Sequence, residues 1–369
     1  MSEREHSGAA AAPSGEAAVL PPGRWAWVRD WRVWFGMAIS ALCLWYAGRD
    51  VPFADLREAF RGVRVWQLVL LSVPGHIGSI YFRALRWRHL TDPITPVETA
   101  VLYRAQSIGF VINNLVPLRM GEFVRSWYLA RETGTRGAAI LGTVVLERVL
   151  DIVCVLLMAG AGMAWLGSAA GDGLLARGAR LMLPVAFLPL VALALLRGAP
   201  DRVIGLVAWL VRPLPVRIGR FVEDNLRRFT QGLGALSGGT HLFWIFFHSL
   251  VIWLGVSALP IIAGLMAFGL DFGSPERTLT VAWILLAAVG VAVAIPSAPG
   301  FVGTYQFAFL AVLEPLGVPP ARALALGLVV WALWWCTFTV QGLIVMRLGG
   351  TSLAELRAAS GKDPTGARR

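Results

Sequence analysis

Gly109-Phe-Val-Ile-Asn-Asn-Leu-Val-Pro-Leu-Arg-Met-Gly-Glu-Phe-Val-Arg125 lies inside apolar sequence, yet it carries two Asn, a Pro, a Gly, a Glu and two Arg. In a bilayer, backbone groups freed by Pro117 or Gly121 must find other partners, so a broken helix survives only against protein or a wet cavity. Polar side chains at that depth are costly and mark binding or transport sites. An ordinary loop between two helices is the simpler alternative. Which reading applies depends on the rest of the chain.

The composition decides that the surroundings are a membrane. The 369 residues are 57% hydrophobic and 15% charged, with a mean hydropathy of +0.66. Several runs reach the roughly 20 apolar residues that a spanning helix needs. The alternating segments of about ten residues that build a transmembrane β-barrel do not appear. The expectation is an all-α, polytopic membrane helix bundle with about six full spans and two Pro/Gly-broken re-entrant segments.

The formal net charge of +11 does not point to nucleic acid, because the basic residues sit between apolar runs, where they set topology and meet anionic head groups. All of them but Lys362 are Arg. Cys43, Cys154 and Cys336 lie far apart in apolar runs, without the paired spacing of a zinc site or disulfide framework. No metal and no cofactor are expected. No GxSxG, P-loop, HExxH or CxxC motif is present to suggest a catalytic centre.

Residues 1–23, rich in Ala, Ser, Gly and Pro and without an apolar h-region, read as a disordered tail and not a signal peptide. Residues 24–350 read as one integral membrane domain and 351–369 as a basic tail. The first span is expected over Val33 to Ala47, and an interfacial helix over Phe53 to Gly62, where Phe53, Leu56 and Phe60 share a face. A second span, Val65 to Phe82, tolerates Pro74-Gly75, and Arg83-Ala-Leu-Arg-Trp-Arg88 then reads as its membrane interface. Further spans are expected over Ala138 to Leu166, Leu181 to Leu196, His241 to Leu270 with a break near Pro260, and Ala321 to Met346. The Arg-rich connection 197–240 reads as cytoplasmic, with two surface-lying amphipathic helices.

A second interruption, Pro296-Ser-Ala-Pro-Gly-Phe-Val-Gly-Thr-Tyr-Gln306, follows a run from Thr278 to Ile295. Pro296, Pro299, Gly300 and Gly303 cannot continue a regular helix. A helix restarting near Thr304 would aim its positive end at the break, a ready anion site. Paired broken segments in two halves are the best sequence pointer to a transporter's substrate site. The span count puts both termini in the cytoplasm and makes the two breaks enter from opposite sides, as in an inverted repeat; Arg177 and Arg180 then fall outside, against the positive-inside rule.

The candidate substrate-binding residues follow from these breaks. Arg119 and Arg125 offer forked donors suited to phosphate. Asn113 and Asn114 could bind a polar head group while staying neutral, and Glu122 could act as counter-ion. Glu147-Arg-Val-Leu-Asp151 puts two carboxylates on one helix face with Arg148 three residues before Asp151; structural glue between helices is the plainer reading, charge balance or proton coupling the functional one. His248 could relay protons but more often such a lone His is structural. The 16 Trp read mostly as interface anchors.

Leu85-Arg-Trp-Arg88, Asn113-Asn-Leu-Val-Pro-Leu-Arg-Met-Gly-Glu122 with Arg125, Glu147-Arg-Val-Leu-Asp151, and Ile295-Pro-Ser-Ala-Pro-Gly300 with Gly303 together resemble the membrane region of lysylphosphatidylglycerol synthases and related stand-alone flippase-like proteins. The resemblance spans about residues 30 to 350. It implies a bacterial-type cytoplasmic membrane protein that handles lipids, translocating modified phospholipids or serving polyprenyl-linked envelope steps. Its expected partners are an anionic phospholipid or polyprenyl phosphate, and proteins of envelope synthesis. The family often has Glu where this chain has Gln306, and that correspondence adds Gln306 to the candidate set without a charged or protonatable role. No aminoacyl-transfer domain follows in this sequence, so lysyl transfer is not expected. The expected function is a flippase-type lipid transporter working without ATP, with a lipid-modifying transferase or accessory subunit as the alternative.

Overall fold

The computed structural model describes residues 30–116, 119–168, 188, 191, 194–196, 198–213, 219, 223, 227 and 239–350. Pro117, Arg177, Arg180, both tails and most of the expected span Leu181 to Leu196 lie outside the described residues, as does most of the second half of the connection 197–240.

All elements among the described residues are helical. They begin with α1 (Trp31–Gly48), the short α2 (Phe53–Ala59) and α3 (Val65–Thr91). Next come α4 (Thr99–Leu115), α5 (Gly121–Thr133) and the 32-residue α6 (Gly137–Ser168). After α7 (Pro200–Leu210), α8 (Gly239–Leu250) runs into a π-helical turn, Val251–Val256, and then α9 (Leu259–Ala267). The described residues end with α10 (Pro275–Ala294), a 3₁₀ turn at Pro299–Phe301, α11 (Thr304–Leu313), a second 3₁₀ turn at Glu314–Leu316 and α12 (Pro320–Leu348).

Four of the described helical stretches are long and apolar enough to cross a membrane: Val65–Thr91, Thr240–Ala267, Pro275–Ala294 and Pro320–Leu348. Their outward faces carry large apolar side chains, such as Leu70, Phe243, Phe247, Val340 and Ile344, exposed to the surroundings. A protein in water rarely displays so much contiguous apolar surface, whereas one in lipid must. The molecule is an integral membrane protein.

Two features depart from the sequence-based expectation. The break expected near Pro260 lies earlier, in the π turn, and Pro260 sits in the first turn of α9, where its missing N–H costs nothing. More consequential, α3 does not end at Phe82. It continues to Thr91, and most of the Arg83–Arg88 cluster is turned inward: Arg86 and Trp87 are wholly buried and Arg83 nearly so, while Arg88 is half exposed. An Arg-Trp cluster at the end of an apolar run looks the same from sequence whether the helix stops there or carries the charges inward to partners.

The packing falls into two bodies with the same order of parts. One core gathers α4, α5, the start of α6 and the last turns of α3; the other gathers α9, α10, α11 and the first half of α12. Each body holds a helix, a break, a shorter helix and then a long helix: α4, α5, α6 in one, α10, α11, α12 in the other. The two interlock reciprocally, since α6 packs on α10 and α12 packs on α4. That exchange brings the two breaks together, because the 3₁₀ turn at Pro299–Phe301 rests against α4.

Candidate functional site

Close approach of α4 and α5 creates the first wall of the site. A methyl group on Gly121 would overlap the Gly109 carbonyl and stand 2.6 Å from Asn113 Oδ1, so only glycine permits this crossing. Asn113 Oδ1 accepts from the Gly121 amide at 2.8 Å, capping the first turn of α5. Its amide nitrogen donates to Glu122 at 3.3 Å. Asn114 turns the other way, donating to Thr339 Oγ1 at 3.0 Å and the Trp335 carbonyl at 3.3 Å on α12. Arg119, held at a left-handed φ of 54°, pairs with Glu122 at 3.4 Å.

The second break supplies the facing wall. Gly303 has a φ of 88°, and a Cβ there would collide with the Ser40 carbonyl of α1. Ser40 also anchors the break by accepting from the Ala298 amide at 2.8 Å. Trp331 of α12 donates to the Gly300 carbonyl at 2.7 Å. Gln306, fully buried, accepts from the Gly303 amide at 2.7 Å and thereby caps the first turn of α11. Phe301 projects from this turn to within 6.0 Å of the Arg119 guanidinium.

Behind the walls lies a buried ionic network. Arg86 of α3 pairs with Glu147 at 3.0 Å and Asp151 at 2.8 Å, one turn apart on α6, and donates to Ser249 at 3.2 Å. The planar fork of a guanidinium suits such a double pairing. Arg83 reaches Asp151 at 3.5 Å, and Trp253 in the π turn donates to the same carboxylate at 3.0 Å. From α5, Arg125 pairs with Glu147 at 3.0 Å and donates to Gln106 at 2.5 Å. Its guanidinium also lies 4.9 Å from the ring of Trp87. Arg148 pairs with Asp151 at 3.4 Å.

A cavity of about 50 Å³ opens where these parts meet, lined by Gln106, Asn113, Arg119, Glu122, Arg125 and Arg148 from one side and Val293, Phe301 and Trp334 from the other. Space of that size admits roughly three or four waters, or one small anion. Its charged lining is three Arg and one Glu, a net of +2. The set behind it, Arg83 and Arg86 against Glu147 and Asp151, is neutral. Three guanidinium nitrogens, Arg86 Nε, Arg125 Nη2 and Arg148 Nε, are buried without a hydrogen-bond partner. Buried donors are almost always satisfied, and two of these three belong to residues that line the cavity, so they ask for an acceptor.

Among the residues singled out from sequence, Asn113, Arg119, Gly121, Glu122, Arg125 and Arg148 line this cavity. Glu147 and Asp151 stand behind it as counter-ions, while Asn114, Gln306, Gly300 and Gly303 hold the surrounding backbone in place. Arg83, Arg86 and Gln106 belong to the network and were missed. Both Arg were absorbed into the supposed interface, and a neutral Gln in an apolar helix carries no pattern of its own.

A family model described as the lysylphosphatidylglycerol synthase TM region matches residues 33–342. The chain belongs to that family. The match covers every wall of the cavity and the whole ionic network. Among curated proteins, the chain is similar to "Glycosyltransferase AglD" of Haloferax volcanii, 26% identical over 294 residues, which is 70% of this chain and 45% of that protein. The chain thus spans less than half the length of the curated relative it matches. No solved structure matches it.

Proposed function

We propose that this member of the lysylphosphatidylglycerol synthase TM family is a flippase-type lipid transporter of the cytoplasmic membrane, and that its cavity receives the phosphate of a phospholipid or polyprenyl-phosphate head group. The observation that carries the reading is the +2 lining with two unpartnered guanidinium nitrogens, placed where two broken helices meet. A phosphate diester or monoester would neutralise most of that charge and accept from both donors. Acyl chains would stay in the bilayer.

The cavity's size supports a closed state around a small anionic group, so passage of a whole head group requires the two bodies to part. Their repeated order of parts and reciprocal packing support an inverted repeat with two re-entrant breaks, α4 to α5 and α10 to α11; the sixth full span of that arrangement, Leu181 to Leu196, lies mostly outside the described residues. Such repeats move by rocking one body against the other around a midplane site. In this reading, Arg119, Arg125 and Arg148 bind phosphate. Asn113, Glu122, Glu147 and Asp151 position those guanidinium groups and balance their charge. Both termini lie in the cytoplasm, with anionic lipid as the principal partner and envelope-synthesis proteins as further ones.

The test is head-group translocation in proteoliposomes holding a labelled anionic phospholipid. The wild type moves label between leaflets, whereas Arg125→Ala and Arg148→Ala, folded by their elution and melting profiles, move it at least tenfold more slowly. Unchanged rates in both variants sink the assignment. A second reading, a membrane-embedded transferase acting on a lipid, is favoured by the curated relative's name, glycosyltransferase. Lipid mass spectrometry of a deletion strain separates the two: a missing lipid species supports the transferase, and an intact species confined to the inner leaflet supports the transporter.

A further inference from the structure

Away from the cavity, three metal-ligating side chains converge at the junction of α3 and α8. His89 lies in the last turn of α3, Asp92 is the residue that follows its final turn, and His241 stands at the start of α8; their candidate ligand atoms all lie within 4.8 Å of one another. All three residues are half-buried. The Nδ1 atoms of His89 and His241 are buried and have no hydrogen-bond partner. Asp92 meets Arg88 only at a long 3.9 Å. His89 also stacks on Trp244, with ring centroids 6.2 Å apart and planes 11° from parallel, which fixes the imidazole in place.

We infer that His89, Asp92 and His241 form a binding site for a divalent transition-metal ion of the zinc class. Two neutral imidazoles and a carboxylate are ligands of the borderline hardness that such ions prefer. Three protein ligands leave a position for water. Tetrahedral zinc with bonds of about 2.0–2.1 Å sets its ligand atoms roughly 3.3 Å apart, so from within 4.8 Å the Asp92 and His241 side chains close the cluster by turning toward the fixed His89 ring. An ion there would account for the two orphaned ring nitrogens, as an acceptor-free imidazole pair beside a carboxylate does not. Sequence spacing hides the set, because 149 positions separate Asp92 from His241.

The consequence is mechanical. The ion ties the end of α3, which carries Arg83 and Arg86, to the start of α8. That helix bears Ser249, a partner of Arg86, and leads into the π turn with Trp253, the partner of Asp151. A clip at this junction holds both sides of the buried ionic network in register.

The experiment uses the full chain in detergent, carrying an affinity tag without histidine and stripped with chelator. Zn²⁺ is added, excess is dialysed away and the bound metal is measured by atomic emission. Wild type and His6→Ala retain one equivalent per chain, and Zn²⁺ raises the melting temperature of both. His89→Ala, His241→Ala and Asp92→Asn bind at least tenfold more weakly and show no such rise, while melting as the metal-free wild type does. Asp92→Asn keeps the outcome interpretable if a His variant fails to fold. Failure of the wild type to retain zinc, or undiminished retention in Asp92→Asn and the folded His variants, overturns the site.

Discussion

Arg86 Nη2 lies 3.0 Å from Glu147 Oε1, and neither side chain is exposed at all. Two charges withdrawn from water so completely cost several kcal/mol each, and only close pairing with further hydrogen bonds offsets that. Here the offsetting partners are Asp151 and Ser249 for Arg86, and Arg125 for Glu147. The pair is therefore one link of a network whose members depend on each other.

Removing a single partner should accordingly be worse than removing two. Arg86→Met leaves Glu147 and Asp151 short of a cation in a dry interior, and should destabilise the protein by about 3–5 kcal/mol. Adding Glu147→Gln in the same chain should recover part of that loss, a coupling of roughly 0.5–3 kcal/mol between contacting residues. Thermal or denaturant unfolding of the two single variants and the double variant in one detergent measures the cycle. Strict additivity would show that the contact carries no energy of its own.

The crossing of α4 and α5 makes an independent prediction about packing. A methyl group at Gly121 meets backbone, the Gly109 carbonyl, which cannot step aside without separating the helices. Gly121→Ala should therefore cost about 1–3 kcal/mol or more. The same change at Gly109 meets its nearest atoms only at 3.1 Å, one of them in the flexible Arg125 side chain, so Gly109→Ala should cost less. Melting temperatures of the two variants order them directly. Because the Gly121 crossing also carries Asn113 and Glu122, its loss should lower anion binding as well.

Arg148 permits a test of the cavity that leaves the fold largely alone. Its side chain is about one-third exposed, and Asp151 retains Arg83 and Arg86 when it is gone. Losing one charge-assisted hydrogen bond to an anion is worth about 1.5–3 kcal/mol, or roughly ten- to a hundredfold in affinity. Arg148→Ala should weaken retention of anionic phospholipid by that factor, with the melting temperature little changed. Native mass spectrometry against a graded series of added lipid reads the affinity. Equal retention by wild type and variant would remove Arg148 from the binding set.

Much of this architecture is legible in the sequence, for a definite reason. A charge or a Pro-Gly pair inside apolar sequence is conspicuous, so both breaks, Arg125, and the Glu147–Asp151 face stood out. What could not be read was the direction in which ambiguous residues turn. Arg83 and Arg86 follow a largely apolar run of 18 residues, Val65 to Phe82, and precede Trp87, a pattern shared by span ends and by helices that carry charge inward. Asn113 and Asn114 are adjacent and chemically identical. Even so, one caps α5 beside the cavity and the other ties α4 to α12, because successive residues on a helix point about 100° apart. The His89–Asp92–His241 group depends on tertiary contact alone.

Gln306 connects the sequence comparison with the structure most directly. Its Oε1 accepts the Gly303 amide at 2.7 Å, one of the donors that α11 leaves unpaired at its first turn. Burial of the whole side chain means that no water can replace that acceptor. Gln306→Ala should therefore cost about 0.5–2 kcal/mol, the range of lost N-terminal caps, plus the effect of the small void it leaves. Gln306→Leu fills the void but still orphans the amide, and should not restore stability. Unfolding of both variants distinguishes the two contributions. If Gln306→Leu is as stable as wild type, the amide has found another partner and the cap is dispensable. If both variants lose stability, the fixed backbone at Gly303 depends on an acceptor at position 306, a role that a Glu at this position would also fill.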